Sequence, residues 1–191
     1  MVETLTVSAE HPSTLGATHD VRLQLYTFRG TRWLSGDIVM AMWEAMRVLE
    51  QCGVVLAGAE LRLLDAPSRF HVYFTPVSRE LLGGMAVIKP ALFFVEDTRN
   101  QPAYDAEAIG QGNSATRPEL LNTVWIAYGA RDLPLALAHE LVHLLSDSGD
   151  HSNEPGNLMR PESSPENTRL SDTQCQRLRA RGEANSLLKR R

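Results

Sequence analysis

Cysteine is scarce: the 191 residues contain two, Cys52 and Cys175. That is too few for a disulfide framework, and without a secretory signal the pair reads as two reduced, buried thiols. Long apolar runs are missing too. Lys89 and Pro90 interrupt the best candidate, Met85 to Val95, so no transmembrane helix is expected. Positive charge is not in excess. The 19 Lys+Arg stand against 23 Asp+Glu for a formal charge of −4, which lacks the basic footprint of a nucleic-acid binder. The cations that close the sequence, Lys189-Arg190-Arg191, read as a solvated tail. Met1 to His19 carries Glu3, Glu10 and Pro12 and has neither a basic n-region nor an apolar h-region. The expectation is a cytoplasmic protein, with non-classical secretion left open. Repeats and biased tracts are absent as well, which leaves one ordinary globular domain of 43% hydrophobic residues, long enough to bury about two thirds of its unfolded surface.

What is present is an order of elements. Val21 to Phe28 alternates Val21, Leu23 and Leu25 against Arg22 and Gln24, the period of a strand. Ser35 is a candidate N-cap for an amphipathic helix over 36–52, in which Ile38, Met42, Ala45, Leu49 and Cys52 recur at helical spacing and Gly53 is the stop. Glu60 to Asp65, Phe70 to Phe74 and Ala91 to Glu96 read as three further strands. The polar stretch from Asp97 to Leu120 reads as a working loop. Asn122 to Tyr128 is a strand rich in β-branched and aromatic residues, and Asp132 and Pro134 open a helix over Leu135 to Leu145. A loop from Ser146 to Pro165 leads to a last helix, about 172–187, capped by Ser171.

Three of the six histidines, His139, His143 and His151, fall within thirteen residues. His139 and His143 stand four apart on the predicted helix, so their rings project from one face and can converge on a tetrahedral Zn²⁺. Glu140 is rotated by about 100° from His139 and faces the remaining coordination position, where it can take a proton from a metal-activated water. The plain alternative is two ordinary histidines on a helix. His151, eight residues after His143 and beyond Gly149, where the helix can end in a left-handed residue, offers a third ligand. Asp147 and Asp150 compete for that place, and Asp150 can instead bond a ligand from behind.

The stretch around these residues resembles the metzincin zinc peptidases, nearest to the matrixin and archaemetzincin branches. Their pattern, HExxHxxGxxH followed by a tight turn around a methionine, is matched by Ala138 to Leu145, by His151-Ser152 and by Leu158-Met159-Arg160-Pro161. The resemblance implies that His139, His143 and His151 are ligands, that Glu140 is the general base, and that Met159 forms an apolar floor beneath the metal. It also implies an α+β, zincin-like fold. That fold has a mixed twisted five-stranded sheet, two long helices, one of them carrying HExxH, and a small C-terminal subdomain with one helix. Residues 1–20 are then an N-terminal extension, 21–151 a catalytic subdomain, and 152–191 a C-terminal subdomain. By element order Ala91 to Glu96 takes the place of the edge strand that lines the cleft and pairs with substrate. The sequence departs from the family in the exit from the zinc helix and in the methionine turn. Ser146 stands where a glycine is usual, the third histidine lies two residues further on, and Pro161 stands at the second position after Met159, without a tyrosine.

These readings point to a monomeric zinc endopeptidase acting on a peptide or protein substrate, without nucleic acid or membrane as partner. A non-catalytic zinc-binding interaction module and a zinc amidase on the same scaffold are the alternatives. His11, His19 and His71 read as ordinary polar histidines. Asp97, Asp105 and Glu107 could hold Ca²⁺, but their spacing has no EF-hand pattern and solvated loop charges are the better reading. Glu162 and Glu166 rank below His151 as a third ligand.

Overall fold

The computed structural model describes residues 3–7, 16–98, 108–111, 118–162 and 164–191. The chain begins with β1 (Glu3–Val7) and β2 (His19–Phe28), followed by helix α1 (Ser35–Leu49), which ends in a 3₁₀ turn over Glu50–Cys52. Gly53 closes that turn at φ 72°, where a Cβ would meet the Thr18 hydroxyl at 2.8 Å. Next come β3 (Val54–Leu64), β4 (Val72–Tyr73), α2 (Thr75–Gly83), β5 (Ala91–Val95) and β6 (Asp97–Thr98). The remaining elements are β7 (Ala108–Gln111), β8 (Thr123–Ala127), α3 (Leu133–Ser146), α4 (Asp172–Ala184) and β9 (Leu188–Arg190).

The main sheet runs β1-β3-β2-β5-β8-β7, with β9 also joined to β2. β3, β2, β5 and β8 are parallel, whereas β1, β7 and β9 pair antiparallel with their neighbours. β5 pairs with Gln24 to Tyr26, and β9 takes the place beside His19 to Val21 that β5 leaves. A separate two-stranded sheet joins β4 and β6.

Both faces of the central strands are covered, and strand alternation sorts their side chains between two cores. Leu23 and Leu25 of β2, Leu92 and Phe94 of β5, and Val124 and Ile126 of β8 face α1, α3 and α4. Tyr26, Phe93 and Trp125 face the other way, stacked with ring centroids 4.7 and 4.2 Å apart, and meet Leu81 and Leu82 of α2. The C-terminal segment shares the first core, through Cys175, Leu178, Leu187 and Leu188.

Several expectations change. The main sheet has seven strands rather than five: β1, β7 and β9 join it, while the strand expected over Phe70 to Phe74 shortens to β4 and pairs with β6 in the separate sheet. β3 begins at Val54, six residues before the strand expected at Glu60, and α2 was not anticipated. Ser35 is the first helical residue of α1, and Leu34 occupies the N-cap without a side-chain bond. Ala91 to Glu96 is not the edge strand: β5 is bonded on one side to β2 and on the other to β8, so it has no free edge. Among the described residues the edge on that side is β7, which lies within the stretch read as a polar loop.

The two cysteines are not free thiols. Cys52 and Cys175 form a disulfide across a sequence separation of 123, with Cα atoms 4.8 Å apart. The start of α4 packs against the 3₁₀ turn that ends α1, and this puts two buried sulfurs in bonding range although nothing in their spacing foretells it.

Candidate metal centre

α3 is helical because Pro134 pre-sets its first turn and Leu137, Ala138, Leu141, Leu144 and Leu145 form one apolar face set in the core. It ends at Asp147, which takes the left-handed conformation at φ 49°. Aspartate tolerates that conformation better than most residues, so the exit falls two residues earlier than Gly149, where it was expected. The amide of Ser148 then donates to the His143 carbonyl at 3.2 Å.

The exit turn has a direct effect on His143. Its Nδ1 lies 2.7 Å from the Ser148 carbonyl oxygen, and a carbonyl only accepts, so Nδ1 carries the proton. His139 is fixed the same way by a more distant partner, the Leu158 carbonyl, at 2.8 Å from Nδ1. Both rings therefore present Nε2 as a lone pair, the tautomer a metal requires. The two Nε2 atoms are 2.9 Å apart. Two bare lone pairs at that distance repel, and a shared cation removes the conflict. A tetrahedral zinc site with ordinary Zn–N bonds separates its nitrogens by roughly 3.3 Å, close to what these rings already offer.

His151 completes the group. It is exposed, beyond the extended exit turn, yet its ring centroid is 4.9 Å from that of His143 and 5.3 Å from that of His139. One nitrogen from each of the three rings falls within 4.8 Å of the others. Among the described residues this is the one such group of three or more His, Cys, Asp or Glu side chains. Burial holds both helix histidines neutral. His139 is pushed below the ordinary imidazole value mainly by burial, and His143 is pushed down to about 4 by burial and by the neighbouring His139 ring.

Glu140 is 8% exposed on the same helix, next to His139. Asp150 is drawn elsewhere. Its carboxylate takes a 2.7 Å bond from Arg177 of α4, and bonds from Ser148 and Arg177 hold its pKa below the usual carboxylate range. It is not part of the three-histidine group. Met159 is 2% exposed in a tight turn, Asn157 to Arg160, closed by a 3.3 Å bond from the Arg160 amide to the Asn157 carbonyl. The Ser152 amide donates to the Met159 carbonyl at 2.8 Å and so ties the residue after His151 to that turn.

The other histidines with described surroundings have partners of their own. His19 Nε2 lies 2.6 Å from a Glu183 carboxylate oxygen, and His71 Nε2 lies 3.1 Å from the Ala66 carbonyl. His11, Asp105 and Glu107 fall outside the described residues. Asp97, Glu162 and Glu166 are exposed and stand apart from the histidine group. The carbonyl anchors of Ser148 and Leu158 were not read from the sequence, since every residue carries a carbonyl. The sequence does carry one signal, the S-x-x-Q start of α4, Ser171 to Gln174, whose glutamine bonds Asn157 of the methionine turn.

No protein-family model matches the chain, and no curated protein matches it. A solved structure does: metalloproteinase-II from Bacteroides fragilis superposes with a TM-score of 0.62 at 14% sequence identity. The match covers 91% of this chain and 56% of that one, so this chain spans little more than half the length of its neighbour. The likeness shows a metalloproteinase-like fold, a mixed sheet with its helices, and this fold carries a three-histidine cluster that can bind a metal.

Proposed function

We propose that the protein is a zinc-dependent endopeptidase of the metzincin type, with one Zn²⁺ held by His139, His143 and His151. The observation that carries this reading is the convergence of three imidazole nitrogens on a metalloproteinase-like fold, two of them already in the ligand tautomer. Bound there, zinc would polarise the scissile carbonyl and supply a water acidic enough to attack it near neutral pH.

The chain's own residues do the rest. Glu140, buried one helical step from His139, accepts a proton from the attacking water and returns it to the leaving amine. Met159 in its tight turn is the apolar floor below the histidines. β7 pairs with β8 antiparallel through one side, and its other side gives an extended peptide a strand edge to bond against. A peptide or protein is the substrate, and the protein acts as a monomer. The Arg177 bond to Asp150 counts against a closed, non-catalytic site, since it occupies the carboxylate best placed to become a fourth protein ligand. The buried Cys52–Cys175 disulfide supports action in an oxidising compartment rather than the cytoplasm first expected. No helix among the described residues is long and apolar enough to cross a membrane.

The test is metal analysis of protein purified without added zinc, with peptide cleavage compared between wild type and Glu140→Ala. One zinc per chain in both, with cleavage lost in the variant, is expected; equal cleavage by both proteins overturns the assignment.

A further inference from the structure

The Leu158 carbonyl that holds His139 does not stand by itself. It belongs to the Asn157 to Arg160 turn, and that turn is fastened to α4 by one pair of amides. Asn157 is 4% exposed. Its Oδ1 accepts the Met159 amide at 2.9 Å, which fixes which end of the side-chain amide is oxygen. Its Nδ2 therefore donates, to Gln174 Oε1 at 3.0 Å, and Gln174 Nε2 donates back to Asn157 Oδ1 at 3.2 Å. Gln174 is oriented with equal strictness. Its Oε1 also accepts the Ser171 main-chain N–H at 2.8 Å, and the Gln174 main-chain N–H donates to the Ser171 hydroxyl at 3.3 Å. That reciprocal arrangement is the capping box at the start of α4.

A second set of bonds holds the other side of the turn. The Leu158 amide donates to the Arg169 carbonyl at 2.7 Å, and the Arg169 amide to the Gly156 carbonyl at 3.0 Å. Main-chain bonds thus fix the strand-like approach, but the orientation of the turn itself, and of the carbonyl it offers His139, depends on Asn157. The residue after Gln174 is Cys175, joined to Cys52 at the end of α1. The helix start that grips the turn is itself bolted to the core.

From this geometry we infer that Asn157 and Gln174 are positioning residues for the metal centre: their amide pair sets the Leu158 carbonyl, and through it the orientation of His139 toward the ion. The inference rests on the reading of the three histidines as zinc ligands. Neither residue touches the metal or the substrate. Their effect is on affinity, because a ligand ring released from its carbonyl partner must be reordered each time the metal binds.

The experiment is the Zn²⁺ dissociation constant, measured by competition with a chromophoric chelator, for wild type and three variants, alongside Tm for each metal-free protein. Asn157→Ala is expected to weaken zinc binding roughly 10- to 100-fold, the range seen when a ligand loses its outer partner. Gln174→Glu is nearly the same shape and keeps the acceptor for Ser171, but turns an oxygen toward Asn157 Oδ1; it is expected to weaken binding in the same direction with little loss of fold. Ser171→Ala removes the helix cap and leaves the amide pair in place, so it should lower Tm while the zinc constant stays within about twofold of wild type. Zinc constants for Asn157→Ala and Gln174→Glu equal to that of a tightly binding wild type overturn the inference and leave the metal reading standing. Zinc constants that track Tm across all three variants also overturn it, since the effect is then general loosening. A wild type that binds no zinc overturns the metal reading itself.

Discussion

His139 and His143 sit one helical turn apart and are held by the same kind of bond, yet the two bonds have different origins. His143 is anchored by Ser148, five residues on, in the turn that ends its own helix. His139 is anchored by Leu158, nineteen residues on, in a turn that depends on Asn157, Gln174 and the start of α4. One ring is positioned by local chain geometry and the other by tertiary structure. A helix with two histidines four apart is therefore only half a site. The second half is supplied by the C-terminal segment, and whatever loosens that segment should reach His139 before His143.

The largest test of this asymmetry is the disulfide. Replacing both partners, Cys52→Ala with Cys175→Ala, frees a loop spanning 123 residues and costs about 4–5 kcal/mol by chain entropy. In a protein of this size that is a drop in Tm of roughly 10–20 °C, readable by calorimetry. The exchange of the two Nδ1 protons is the sharper measurement. That of His139 should exchange faster in the variant while that of His143 is unchanged, and equal acceleration of both would break the comparison.

Acid is the converse experiment, because it acts on both rings together. The folded-state pKa values of His139 and His143 lie below the ordinary value near 6.5, that of His143 at about 4. Between those limits the unfolded chain holds a proton that folded His143 does not, so unfolding is favoured as pH falls. The stability of the metal-free protein should be complete above about pH 6.5 and decline toward pH 4 by on the order of 2–3 kcal/mol. Urea unfolding across that range measures it. A flat profile would mean that the rings are not held neutral by burial.

How much of this was legible in the sequence follows the same division between local and distant. α1, α3 and α4 could be read because their apolar residues repeat every three or four positions, and β2, β5 and β8 because theirs alternate or run continuously. α2 escaped because it buries little beyond Ser78, Leu81 and Leu82, and β9 because three residues carry no period. Strand order was misjudged at Ala91 to Glu96, since alternation says which face a residue takes and not which strand lies beside it. The three histidines stood out by side-chain chemistry. Their anchors are backbone carbonyls, which every residue has, and Asn157 and Gln174 are ordinary amides until the fold brings them within 3.2 Å of each other.

Two glycines carry the comparison to its smallest effects. Gly156 precedes the turn that serves His139, at φ 73°, and a Cβ there would come within 2.5 Å of the Arg169 guanidinium. Gly156→Ala combines a left-handed backbone with a close contact and should cost about 1–2 kcal/mol. Gly149 lies in the exit turn near His143 and was the expected helix stop. A Cβ at Gly149 meets nothing within 4 Å, and its φ is not left-handed because Asp147 has already made that turn. Gly149→Ala should therefore change stability by no more than about 0.5 kcal/mol and leave the His143 anchor intact. Parallel denaturation curves for the two variants decide the point: a Gly149→Ala loss as large as that of Gly156→Ala would mean that Asp147 is not where the helix turns out, and that the bond from His143 to Ser148 has been assigned to the wrong geometry.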